Sequence, residues 1–331
     1  MTLEPPHHLP QNIRSLFFFC TKVLVLSAVF SVARIYLFFD ETHTPTGDHI
    51  HDDHITQWSP SLFSPRNTVD IDMVDKRIAE AARSLMENEH SAPSIQETPE
   101  FMNDVCTAYE DICIKTTREG SFSRDEQLSY QLLTIYLIKN IDDRLENGSV
   151  RDALAHLKFF RDPDSRRGSA GYTNIRINVE RILSRAEFRE VLTHELGHTI
   201  DFSILLGTKR TKDPLFTEFN EKKRSVDDAS LEYYRISRQN ETVRKKDSSF
   251  KDFVSGYAMK WIYEDFAEHQ NARFNHNAVF AYLSEDNSIL QQKYDFFASL
   301  YNDRYYSANE RFVAKVDTEK RPRDSTRMQE K

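Results

Sequence analysis

His194, Glu195 and His198 form the pattern H-E-x-x-H, in which two imidazoles four residues apart leave the same face of one helix. That spacing lets both grip one metal ion. Glu195 between them is directed toward the open coordination position, where it can take a proton from metal-activated water. A catalytic zinc uses three protein ligands and leaves the fourth place to water, so a third group must come from elsewhere in the chain. The best source is Tyr263 to Gln270, YEDFAEHQ, where Glu264 and Glu268 lie one helical turn apart on one face. Glu264 can ligate the metal, while Glu268 can accept a hydrogen bond from a ligand histidine and fix its tautomer. Asp265 and His269 compete for the ligand role on spacing alone. Asp201, three residues after His198, can orient a ligand or close the helix end.

These side chains need rigid elements to hold them. Ser184 to Ser203 reads as a helix opened by a capping box of Ser184 and Glu187, and it carries the motif between apolar Val191, Leu192, Leu196 and Ile200. Gly197 is small where close packing under a metal site is useful. Just before it, Tyr172 to Val179 (YTNIRINV) alternates as the clearest strand in the chain, a candidate edge for an extended peptide. Further upstream, apolar residues recur at helical spacing from Val69 (Ile71, Val74, Ile78, Ala82, Leu85), and Phe101 to Lys115 continues in that style. Ser123 and Glu126 form a second capping box, opening a helix through Leu145 that Asn147-Gly148 closes. A short helix is predicted at Val150 to Phe160, then a loop from Arg161 to Gly171. Mostly helical, charged segments follow to about Tyr306.

Composition bounds the rest. The chain has 331 residues, 39% apolar and 29% charged, enough for one substantial core or two small ones. A net charge of −8 argues against nucleic acid as a partner, because the phosphate backbone rewards a basic face. Leu16 to Phe39 is an apolar run of spanning length, interrupted by Lys22 and Arg34. It reads as a transmembrane anchor, with Ser31-Val32-Ala33 as an alternative signal-cleavage site that would make the protein secreted. Basic Arg14 and Lys22 on one side and Asp40, Glu41 and Asp48 on the other put the N-terminus in the cytoplasm and the body outside. Cys106 and Cys113 can bridge in an oxidising compartment, but one continuous helix would hold them about 10 Å apart along its axis. The expected organisation is a cytoplasmic segment 1–15, an anchor 16–39, a linker 40–68, a helical region 69–160, a catalytic domain 161–306 and a disordered tail 307–331.

The run His194-Glu195-Leu196-Gly197-His198-Thr199-Ile200-Asp201, with Tyr257 and then Glu264-Asp265-Phe266-Ala267-Glu268, resembles the anthrax lethal factor type of zinc metallopeptidase. That family carries an HE-x-GH-x-x-D helix and a later E-F-F-A-E helix, with a tyrosine seven residues before its first glutamate. The likeness covers roughly residues 172 to 305 and departs at Asp265, which replaces an aromatic residue, and in a longer insertion between the helices. The resemblance implies a zincin-like fold, one zinc held by His194, His198 and Glu264, Glu195 as general base, and Tyr257 donating to the developing oxyanion. The expected protein is α+β and predominantly helical: a zincin-like metallopeptidase domain with a small sheet, preceded by a transmembrane helix. Its expected activity is metalloendopeptidase cleavage of a protein or peptide substrate. The alternative is a catalytically silent, zinc-stabilised, membrane-anchored binding module.

Overall fold

Apolar residues at every third or fourth position make α1 (Ile71–Glu87), the first helix among the described residues, in which Val74, Ile78, Ala82 and Leu85 are buried. The Asp70 carboxylate caps it by accepting from the Met73 N–H at 3.2 Å. The computed structural model describes residues 69–87, 99–217, 222–302 and 321–327. All of them fall within one compact unit spanning residues 54–331. The anchor at 16–39, the flanking segment 1–15 and the linker at 40–68 lie outside the described residues. Among the described residues no helix is long and apolar enough to cross a membrane.

The single helix read from Phe101 to Lys115 is two helices, α2 (Pro99–Ala108) and α3 (Glu110–Lys115), broken at Tyr109. Tyr109 leaves helical geometry at φ −124°, ψ 45° while its hydroxyl donates to Asp75 on α1. The break brings Cys106 and Cys113 to a Cα separation of 5.7 Å, and they form a disulfide, which the continuous helix would have forbidden. Strand β1 (Thr116–Glu119) follows directly. Ser123 and Glu126 form the expected reciprocal cap of α4 (Arg124–Asp142). Gly148, at φ +84°, makes the turn after it.

The predicted helix from Val150 to Phe160 is only one turn long, α5 (Val150–Ala153), and then becomes strand β2 (His156–Phe160). Strands β3 (Gly168–Ala170) and β4 (Asn174–Asn178) complete a sheet of order β1-β2-β4-β3. Pairing is parallel between β1 and β2 and between β2 and β4, and antiparallel between β3 and β4. The strand read at Tyr172 to Val179 is therefore real but is not an edge: β4 is hydrogen-bonded on both sides, and β3 forms that edge of the sheet. Two strands of the sheet come from the 69–160 segment and two from beyond residue 160.

The motif helix is α6 (Arg185–Thr199), continued by a π-helical turn (Ile200–Ile204). A hairpin of β5 (Lys212–Thr217) and β6 (Lys223–Ser225) interrupts the stretch expected to be helical. Helices α7 (Ser230–Ser237), α8 (Ile262–Asn275), α9 (Asn277–Ser284) and α10 (Ser288–Leu300) finish the body. One continuous apolar core runs from Val74 on α1 through Leu157 and Ile177 in the sheet to Phe188 on α6, Phe266 on α8 and Phe297 on α10. The chain is thus α+β with a small sheet.

Candidate active site

Ser184 starts α6 by accepting from the Glu187 N–H at 3.0 Å, and Glu187 in turn accepts from Leu183 N–H at 2.8 Å. Every residue from Glu190 to Thr199 is buried, so the motif sits on a helix packed into the body. Its closest neighbour is α8. A Cβ at Gly197 would stand 3.1 Å from the Ala267 Cα, tighter than ordinary packing, and Gln270 donates across the gap to the Thr193 carbonyl at 3.1 Å. The glycine lets the two helices that carry the site approach each other.

That approach brings the predicted ligands together. Glu264 Oε2 lies 3.1 Å from His194 Nε2 and 3.5 Å from His198 Nε2. One ligand atom from each of the three residues falls within 4.8 Å of the others, so His194, His198 and Glu264 can hold one metal ion. Glu268 Oε1 stands 3.0 Å from His194 Nδ1, the ring nitrogen that does not face Glu264. Glu268 is itself fixed, accepting from Ser255 Oγ and from the backbone N–H of Ser325, the latter at 2.6 Å. The Tyr257 hydroxyl donates to Glu264 Oε1 at 3.0 Å.

Three expectations resolve differently. Asp201 is fully buried but turns away from the histidines: Tyr234 donates to both its oxygens at 2.7 and 2.5 Å, and Arg224 Nη2 lies 3.3 Å away. It falls in the π-helical turn and ties α6 to β6 and α7 instead of orienting a ligand. Asp265 and His269 are not ligands either. Asp265 is bound by Lys293 Nζ at 2.8 and 3.0 Å and lies 2.9 Å from His269 Nδ1. The tail expected to be disordered is, at residues 321–327, built into the site. Pro322 O accepts from Gly256 N–H at 2.9 Å, and Asp324 pairs with Arg167 at 3.1 Å.

A cleft of about 490 Å³ opens onto these groups, walled on one side by β3. A Cβ at Gly168 would lie 2.3 Å from Glu195 Oε1, so a larger residue here would displace that carboxylate. Gly168, Ser255 and Ser325 belong to no motif legible in the sequence. A glycine in a polar run reads as loop, and the two serines reach the site only through folding.

The charges are coupled. Burial disfavours an ionised Glu195 and raises its pKa, with the neighbouring histidines opposing. Burial also acts against charge on His194 and Glu264, but their mutual hydrogen bond and further partners outweigh it. His194 is therefore raised well above the ordinary histidine value, and Glu264 is held far below the carboxylate range. Tyr257 is pushed up by burial and by Glu264, so it remains a proton donor across the neutral range. His198 stacks on Phe202 with centroids 5.5 Å apart, which orients its ring. Its Nδ1 is buried with no hydrogen-bond partner among the described residues. Comparison of the chain with known protein families, with curated proteins and with solved structures finds no match in any of the three.

Proposed function

We propose that this protein is a zinc-dependent metalloendopeptidase. The observation that carries the reading is the convergence of two imidazole nitrogens and one carboxylate oxygen beside a buried, separate carboxylate, Glu195, in one open cleft. Two histidines and a glutamate form a donor set suited to catalytic zinc, leaving a position for water. When bound, zinc supplies Lewis acidity and lowers the pKa of water to near neutrality.

The chain's own residues provide the rest. Glu195, with its raised pKa, accepts the proton of the attacking water and delivers it to the leaving amine. Tyr257, kept protonated, donates a hydrogen bond to the oxygen that gains charge. Glu268 holds His194 in a single orientation. Strand β3, at the sheet's edge and beside Glu195, offers backbone groups along which an extended peptide can pair, a role the sequence had suggested for β4.

The test uses the purified full chain and its Glu195→Gln variant, with zinc content and cleavage of an unstructured protein measured together. Equal zinc in both, with cleavage reduced about 10²–10⁴-fold in the variant, is the expected result. Stoichiometric zinc with no cleavage by the unsubstituted chain would overturn the reading in favour of a zinc-stabilised binding module.

A further inference from the structure

The exposed charges of the cleft are cationic in a protein whose net charge is −8. Five basic side chains line it, and they divide into two kinds. Arg167 and Arg181 are committed to the fold: Arg167 pairs with Glu187 and Asp324, and Arg181 donates to the Pro163 carbonyl. Arg166, Lys260 and Arg323 are exposed at the cleft, and among the described residues none has a carboxylate partner. The Lys260 ammonium lies 5.0 Å from the centre of the Tyr257 ring, directly beside the site. Arg166 is near enough to favour the ionised form of Glu195.

These three cations come from separate parts of the chain: the loop before β3, the segment before α8 and the C-terminal segment. Folding alone collects them. The cleft also holds four carboxylates, but Glu195 and Glu268 are buried, Glu264 lies against the histidines and Asp324 is paired with Arg167, so the exposed charged side chains that line the cleft are all cationic. A bound divalent metal would add to the positive field. Unpaired charge of one sign, focused in a cleft with low-dielectric walls, attracts ligands of the opposite sign.

We propose that the cleft selects peptide segments bearing acidic side chains beside the scissile bond, with Arg166, Lys260 and Arg323 as the specificity-determining residues. This rests on the peptidase reading and names its substrate class. Single contacts between exposed charges are weak, each worth roughly two- to fivefold, so three acting together are expected to give about tenfold or more in kcat/KM. Salt should erode the preference, because the Debye length shrinks from about 10 Å at 0.1 M to about 3 Å at 1 M.

The experiment uses the zinc-loaded full chain and three fluorogenic peptides, identical except that the residues flanking the central bond are acidic, neutral amide or basic. Expected is a ranking in kcat/KM of acidic over neutral over basic that narrows as salt is raised. Anisotropy with the Glu195→Gln variant should give the same ranking in Kd, which separates recognition from turnover. Arg166→Glu, Lys260→Glu and Arg323→Glu should each slow the acidic peptide and speed the basic one, whereas simple damage to the site slows both. Basic peptides cut as well as acidic ones overturn the acidic selectivity and leave the peptidase reading standing. A preference that persists unchanged in all three variants overturns the assignment to these cations. No cleavage of any peptide by the zinc-loaded chain overturns both.

Discussion

Helix α8 carries two charged clusters on different faces, and they have opposite characters. On the side facing α6, Glu264 meets His194 and His198 at the bottom of an open cleft, with no cation of the Lys or Arg type within ion-pair distance among the described residues. On the other side, the adjacent residue Asp265 is buried against Lys293, His269 and Arg238, and accepts from Tyr233 at 3.1 Å. Burial opposes the charge on Asp265, but Lys293 above all holds its pKa well below the usual range. Burial brings Lys293 down to about 8. The second cluster is closed, its carboxylate paired within the protein; the first presents converging lone pairs to solvent. Residue types alone would have assigned chemistry to either. What distinguishes them is whether the partners are the protein's own.

The comparison can be broken from either side. The largest effect on folding is expected from Lys293→Met, which leaves Asp265 buried without its main partner and should cost about 3–5 kcal/mol. Denaturant unfolding should register that loss, while the folded fraction binds zinc with unchanged stoichiometry. If zinc binding fails in the folded protein, the two clusters are not independent. Glu264→Gln should do the converse. Metal affinity is expected to fall by at least about 100-fold, beyond what loss of an outer hydrogen-bond partner gives, with only about 1–2 kcal/mol lost from the metal-free protein. Isothermal titration with zinc alongside thermal unfolding checks both.

A smaller effect concerns pH. In the metal-free chain His194 has a pKa raised above its unfolded value, so the stability it contributes is fully present below about pH 6.5 and is lost as pH rises through the higher folded value. Zinc binding needs the neutral ring, so its contribution runs the other way. The gain in Tm on adding zinc should therefore increase with pH, and should still be increasing above the ordinary histidine range. A zinc-induced gain that is flat across that window would place no proton on His194 in the metal-free protein.

Much of the site was legible in the sequence because helical periodicity is local. His194 and His198 face the same way through a spacing of four, Glu264 and Glu268 do likewise, and Ser184 and Ser123 mark helix starts through contacts three residues away. The same locality misled at Asp201, where the helix loosens into a π turn and the carboxylate finds Tyr234 and Arg224. It misled also at Tyr109, where an interaction with α1 accompanies a break in the helix and lets Cys106 reach Cys113. His156 to Phe160 alternates too briefly to be told from a helix end, and becomes a strand because β1 and β4 flank it.

By itself, the sequence determined which side chains could do chemistry and which of them share a helical face, since those follow from residue type and a period of 3.6. Tertiary structure decided the pairing of α6 with α8 through Gly197, the passage of Gly168 over Glu195, the docking of residues 321–327 against Glu268, and the collection of Arg166, Lys260 and Arg323 at one cleft. Each of these joins residues far apart in the chain, and their meeting depends on how the whole core packs rather than on any periodicity that a local stretch can carry.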